Sequence, residues 1–259
     1  YDVEPYSYGG YCDFGKRPDR DLDDNERVGE VVRDLMTAHK LGCKMIRGFG
    51  IPGHLYPRVA QMAAFYQIPV CYEIHAPQKP SDPEVQELKK IFEEINSPWV
   101  GFVQDFGCFI EKPNPVVFDN YVKMGAKPEN LRYIIDNRWS GMSQEEMEDK
   151  MREMGGGQPE ILAVSTWFGG QSFSPEADIE GFKSIVHLCR YFHGKFYNIG
   201  EDCVETTIPY EKILDVIVES GYEGVLMIEY EGRINPEEQI PRHIQMEHRI
   251  LGELGVLKN

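Results

Sequence analysis

Short strand-like runs alternate with amphipathic helical patterns along most of this chain, and that alternation constrains the fold more than anything else in the sequence. Lys44-Met45-Ile46-Arg47, Ile68 to His75, Trp99 to Asp105, Phe192 to Tyr197 and Gly224 to Tyr230 read as strands. Between them, apolar residues recur at helical spacing: Val28, Val31, Val32, Leu35, Ala38 and Leu41, ended by Gly42, then Leu55 to Tyr66. Ser81-Asp82-Pro83-Glu84 has the form of a capping box before Val85, Leu88, Phe92 and Ile95. Later helices are predicted around Ile179, Phe182 and Val186, over Tyr210 to Val218, and from about Pro236 to Leu254. Strands separated by single helices predict βαβ units and a parallel sheet. The stretch 110–177 breaks the rhythm, with helical patterns at 115–124, 143–153 and 159–167. It reads as a helical insertion on one βα loop of a single domain spanning 1–259.

Charge and cysteine content narrow the function. With 27 Lys+Arg against 43 Asp+Glu, the net charge of −16 argues against a nucleic-acid partner. No apolar run approaches the ~18 residues of a membrane span, and Tyr1-Asp2-Val3-Glu4-Pro5 reads as neither a signal nor a basic transit peptide. The six cysteines form no C-x-x-C pair; they read as reduced core thiols and predict a cytoplasmic protein. There is no G-x-G-x-x-G after a strand, no P-loop and no G-x-S-x-G elbow, and Gly155-Gly156-Gly157 reads as a turn.

Four strands end in a residue able to bind a metal or move a proton: Glu73, Asp105, His193 and Glu229, separated by 32, 88 and 36 positions. The two shorter gaps fit one βα unit of ~30 residues, and the long one contains the insertion. A single acidic residue at a strand end is commonly a cap or an ion-pair partner. Four strand-end residues of this kind, three of them acidic, are harder to explain as caps, because buried like charges repel and are costly without a cation. Two Glu, one Asp and one His suit one divalent ion, Mn²⁺ or Mg²⁺ first, with Zn²⁺, Co²⁺ or Fe²⁺ admissible.

Neighbouring residues extend this set. His75 lies two positions after Glu73 and shares its strand face, as general base or as a histidine orienting a carboxylate. Lys195 stands in the same relation to His193, to stabilise an enolate oxygen or to make a structural ion pair. Arg47 is a candidate clamp for a sugar hydroxyl or a salt-bridge partner in the wall. His54, Trp139, Trp167 and Phe168 are candidate pocket residues, with core packing the alternative for the aromatics. His39, His187, His243 and His248 fall away from strand ends and are given no role.

On these residues the chain resembles the xylose isomerase-like TIM barrels. Their ketose 3-epimerase branch holds one divalent metal with Glu, Asp, His and Glu on successive late strands, an order matched by Glu73, Asp105, His193 and Glu229. The wording of Tyr72-Glu73-Ile74-His75-Ala76-Pro77, Gln104-Asp105-Phe106-Gly107, His193-Gly194-Lys195-Phe196-Tyr197 and Ile228-Glu229-Tyr230-Glu231-Gly232 is similar to one subgroup, the α subunit of bacterial C-glycoside deglycosidases. The resemblance runs from about residue 1 to 250 and is weakest across 130–175.

It implies a (β/α)₈ barrel holding a divalent metal, Mn²⁺ first, with a smaller β-rich partner subunit over the pocket mouth. The implied activity is cleavage of the carbon–carbon glycosidic bond of a 3-oxo-C-glucoside by α-proton abstraction and β-elimination. In that chemistry His75 is the base, and Glu229 or Lys195 is a second proton-transfer or oxyanion group. If the four ligands occupy the last four strands, Lys44–Arg47 is the fourth strand and the third lies near Val3–Tyr8. Roughly two βα units of ~30 residues are then expected before Tyr1 or from elsewhere. Ile161–Ser165 is an alternative strand inside the insertion. The competing readings are a ketose 3-epimerase or isomerase using the same metal, an abasic-site endonuclease disfavoured by the charge, and a non-catalytic sugar-binding barrel.

Overall fold

The computed structural model describes residues 3–13 and 15–257; Tyr1 and Asp2 of the N-terminal pentapeptide lie outside the described residues. Among the described residues, six strands and ten α-helices follow one another as β1 (Ser7–Tyr11), α1 (Asp24–Leu41), β2 (Met45–Phe49), α2 (Tyr56–Tyr66), β3 (Val70–Ile74), α3 (Pro83–Ile95) and β4 (Val100–Asp105). Then come α4 (Pro115–Lys123), α5 (Pro128–Asn137), α6 (Gln144–Glu153), α7 (Gln158–Phe168), α8 (Ile179–Ile185), β5 (Cys189–Phe196), α9 (Tyr210–Glu219), β6 (Val225–Tyr230) and α10 (Pro236–Glu253). The fold is α/β, as the alternation predicts. No described helix is long and apolar enough to cross a membrane.

The chain divides into two compact units. The first comprises Tyr1–Ile74, Pro80–Gln104 and Ser184–Phe192; the second comprises His75–Lys79, Asp105–Lys183 and His193–Asn259. The division therefore passes through β4 and β5 themselves.

In the first unit β1, β2, β3, β4 and the start of β5 are neighbours in that order. The first three pairings are parallel, with Ile46 opposite Val70 and Glu73 opposite Val103. A parallel sheet covered on its faces needs apolar residues on both sides, and every residue of β4 is buried. Helix α1 starts from a capping box: Asp23 accepts from the Asn25 and Glu26 amides, and Glu26 reaches back to the Asp23 amide. Its apolar stripe buries Val28, Val31, Leu35 and Ala38. Tyr56, Phe92 and Phe102 form a chain of edge-on rings, with centroids 4.8 and 4.9 Å apart. In the second unit the end of β5 neighbours β6, and a second aromatic core joins Phe106, Phe109, Phe182 and Tyr210.

Several details differ from the expectation. β1 begins at Ser7 and pairs with β2 through Gly9 and Gly10, residues of weak strand propensity that hide it in the sequence. Ser81 does not cap α3. The residue before the helix is Asp82, no side-chain cap bond forms, and Pro83 at the first position has no N–H to satisfy. Ile161–Ser165 lies inside α7 and is not a strand. Helix α5 carries only Leu131 and Ile134 as buried apolar residues, too few for its period to register. Five of the six cysteines are buried, and burial pushes the Cys71 thiol up to about 12, which leaves it inert.

Leu35 is fully buried on α1. Leu35→Ala is expected to lower stability by about 3 kcal/mol, read from urea denaturation. A loss below about 1 kcal/mol would show that α1 is not a core helix.

Candidate active site

Strand ends bring a set of titratable side chains together in the second unit. His75 follows β3 directly, Asp105 ends β4, His193 and Lys195 occupy alternate positions near the end of β5, and Glu229 stands near the end of β6. Alternation puts His193 and Lys195 on one strand face.

Lys195 is the centre of the set and is fully buried. Its ammonium lies 2.6 Å from Asp105 Oδ2, 3.2 Å from Glu231 Oε1 and 3.4 Å from Glu229 Oε2. It also lies 3.0 Å from His75 Nε2. His75 Nδ1 is 2.8 Å from the Ala76 carbonyl. A carbonyl only accepts and an ammonium only donates. Nδ1 therefore carries the hydrogen, and Nε2 presents a lone pair to Lys195 and, at 3.5 Å, neighbours Asp105 Oδ2. His193 Nδ1 lies 3.4 Å from Glu229 Oε2.

Two glycines make this packing possible. The Gly107 amide donates to Asp105 Oδ1 at 2.6 Å, and a Cβ at Gly107 would come within 2.9 Å of the Lys195 stem. A Cβ at Gly194 would come within 2.9 Å of Glu247 Oε1, so glycine lets α10 approach β5 between His193 and Lys195.

The electrostatics follow from burial and charge. Desolvation alone would push the Lys195 ammonium down, but Asp105, Glu229 and Glu231 outweigh it and hold its pKa above the ordinary lysine value. Glu229 is raised by burial and by the Asp105 charge, against the opposing pull of Lys195 and His193. Burial raises the Tyr197 hydroxyl, and the Glu231 carboxylate beside it adds to the shift. Three carboxylates thus face one ammonium. Their surplus negative charge, with the His193 imidazole beside Glu229, fits a hard divalent cation.

A buried network supports the lysine backbone. Tyr210 Oη donates to the Lys195 carbonyl at 2.7 Å and lies 2.8 Å from His243 Nε2. The His243 ring stacks on Phe196, with centroids 4.1 Å apart, and Glu247 Oε1 is 3.6 Å from His243 Nε2. Desolvation lowers His243 to about 3 and raises Glu247 to about 8, so both are mainly neutral near pH 7.

The other residues singled out in the sequence lie as follows. Glu73 and Arg47 belong to the first unit, where Glu73 is buried and ion-paired to Arg47 at 3.3 Å. His54 is exposed and pairs with Asp24 at 2.9 Å. Trp139 is half exposed, with the Arg138 guanidinium 4.4 Å and the Lys79 ammonium 5.1 Å from its ring centre. Phe168 receives the same guanidinium at 4.1 Å. Trp167 is fully buried, edge-on to Tyr121. Sequence reasoning missed Glu231, Tyr197 and Tyr210. The rule that joins His75 to Glu73 also joins Glu231 to Glu229, two positions apart, and would have found the first of them.

The model of the xylose isomerase-like TIM barrel family matches residues 1–248, and the chain belongs to that family. Among curated proteins it is similar to a C-glycoside deglycosidase alpha subunit of Arthrobacter globiformis, 29% identical over 240 residues that cover 90% of this chain and 66% of that protein. It is also similar to a 3'-dehydrocarminate deglycosidase alpha subunit of a Microbacterium species, 26% identical over 97% of this chain and 77% of that protein. The chain thus spans slightly under two thirds of the length of the Arthrobacter relative. Among solved structures, a sugar phosphate isomerase/epimerase from Parabacteroides distasonis ATCC 8503 aligns with a TM-score of 0.48 and 12% identity, over 97% of this chain and 72% of that one.

The buried His243–Glu247 pair makes stability depend on pH in two directions. Glu247 is raised from 4.5 to about 8, so its contribution is full below about 4.5 and lost as pH rises through about 8. His243 is lowered from 6.5 to about 3, so its contribution is present above about 6.5 and lost as pH falls toward 3. Glu247→Gln, neutral at every pH, should match the parent's melting temperature near pH 4 and exceed it at pH 8.5. Parallel pH profiles for the two proteins would contradict a buried neutral Glu247.

Proposed function

We propose that this chain is the catalytic component of a metal-dependent lyase that cleaves the carbon–carbon glycosidic bond of 3-oxo-C-glucosides. The observation that carries this reading is the buried Lys195 ammonium facing the His75 lone pair across 3.0 Å, amid the carboxylates of Asp105, Glu229 and Glu231. That arrangement pairs a base with a cation, as removal of a proton next to a carbonyl requires. The names of the curated relatives supply the substrate class.

Asp105, His193 and Glu229 would hold the metal, with Glu73 as the fourth ligand of the set read from the sequence pattern. A bound divalent ion supplies Lewis-acid polarisation of the sugar carbonyl. His75 Nε2 takes the proton from C2 of the sugar, because Nδ1–H is committed to the Ala76 carbonyl and Nε2 alone has a lone pair. Lys195 donates to the oxygen that gains negative charge as the C2–H electron pair moves to form the enediolate. The enediolate electrons then restore the C3 carbonyl and form a C1–C2 double bond as the C1–aryl bond breaks; its electron pair stays on the aryl carbon, which takes up the proton that His75 removed from C2. Since the curated relatives are named alpha subunits, we further propose a smaller β subunit as partner.

Proton NMR in D₂O of the metal-loaded protein, with any subunit that co-purifies, tests this on a 3-oxo-C-glucoside and separately on a free ketohexose. Release of the aglycone is expected. Conversion of the ketohexose to its C3 epimer with the glucoside untouched would move the assignment to an epimerase.

Single substitutions test the roles. His75→Ala should keep its metal and lose turnover by about 10³-fold or more, and substantial remaining activity would refute the base assignment. Glu73→Gln, Asp105→Asn and His193→Ala should each lower metal content in elemental analysis, and full occupancy would remove that residue from the ligand set.

A further inference from the structure

A cavity of about 410 Å³ lies in the second unit, walled by α4, α7 and the segment after β6. Its volume falls in the range of about 300–1,000 Å³ typical of small-molecule sites. We propose that this cavity binds a planar aromatic group, the aryl leaving group of the substrate; the assignment of that role rests on the lyase reading above.

Three observations support it. The first is continuity with the reactive cluster: Glu231 lines the cavity, and its carboxylate is 3.2 Å from the Lys195 ammonium. A ring held there lies beside the residues that act on the sugar.

The second is unexplained apolar surface. Helix α4 buries no residue completely, yet it lends Val116, Val117 and, just past its end, Met124 to the cavity wall. Leu162 of α7 faces them, and Met124 and Leu162 remain 48% and 39% exposed. Apolar side chains gathered in a concave surface and left partly exposed mark a ligand site.

The third is a rigid aromatic wall with a polar edge. The Tyr121 hydroxyl is 2.5 Å from Thr166 Oγ1, and its ring meets Trp167 edge-on at 5.9 Å. The Tyr121 ring is therefore held in the cavity wall by both contacts. Arg233 lines the same cavity and offers a cation to a phenolate or carboxylate on the bound ring.

The test uses apigenin, a flavone without sugar, titrated into the full-length protein with any subunit that co-purifies. Saturable one-to-one binding is expected. Leu162→Trp, which fills the cavity from a partly exposed position, should weaken it by about tenfold or more. Met124→Trp gives a second, independent obstruction should the first variant unfold. Absence of apigenin binding, or binding unchanged in both folded variants, would overturn the proposal.

The two readings fail separately. Variant-sensitive apigenin binding without cleavage of the 3-oxo-C-glucoside would sink the lyase and leave an aromatic site. Cleavage with an unchanged KM in Leu162→Trp would sink the cavity assignment and leave the lyase.

Discussion

The buried ammonium of Lys195 is the constraint on which the rest of the second unit depends. An isolated cation with no exposure to water would lose its proton. This one keeps it because Asp105, Glu229 and Glu231 surround it. Asp105 arrives from the end of β4 and both Glu229 and Glu231 from the end of β6, so the cluster forms only when the ends of β4, β5 and β6 are aligned. The lysine also fixes what lies behind it. Its carbonyl takes the Tyr210 hydroxyl, Tyr210 meets His243, and His243 stacks on Phe196. Charge on one side of β5 and hydrogen bonding on the other hold the same two-residue stretch in place.

Much of this was legible in the sequence, for identifiable reasons. The strands that carry Glu73, Asp105, His193 and Glu229 are apolar runs of five to eight residues, and single helices with clear stripes separate most of them. The order of polar strand ends could therefore be read without any contact map. What failed to register lacks a period. β1, expected near Val3–Tyr8 on the resemblance alone, runs through two glycines, and α5 buries two apolar side chains. Tyr210 looked like one more apolar position on α9. Its hydroxyl serves Lys195, and nothing in a helical stripe announces that. The Ser81 motif shows the converse error, where a matching local pattern gave way because Pro83 had already set the start of the helix.

The two units handle their buried acids differently, and that difference bears on chemistry. In the first unit Glu73 has a cation of its own, Arg47 at 3.3 Å, so the pair is formally neutral. In the second unit Asp105, Glu229 and Glu231 share one Lys195, leaving a formal charge of −2 when all four groups are ionised. Like charges gathered in a low-dielectric region are costly. A proton taken up by Glu229, whose pKa is already raised, relieves part of the strain; a divalent cation would relieve all of it. The same surplus that makes the cluster receptive to a metal therefore also makes it receptive to protons, and the two compete for Glu229.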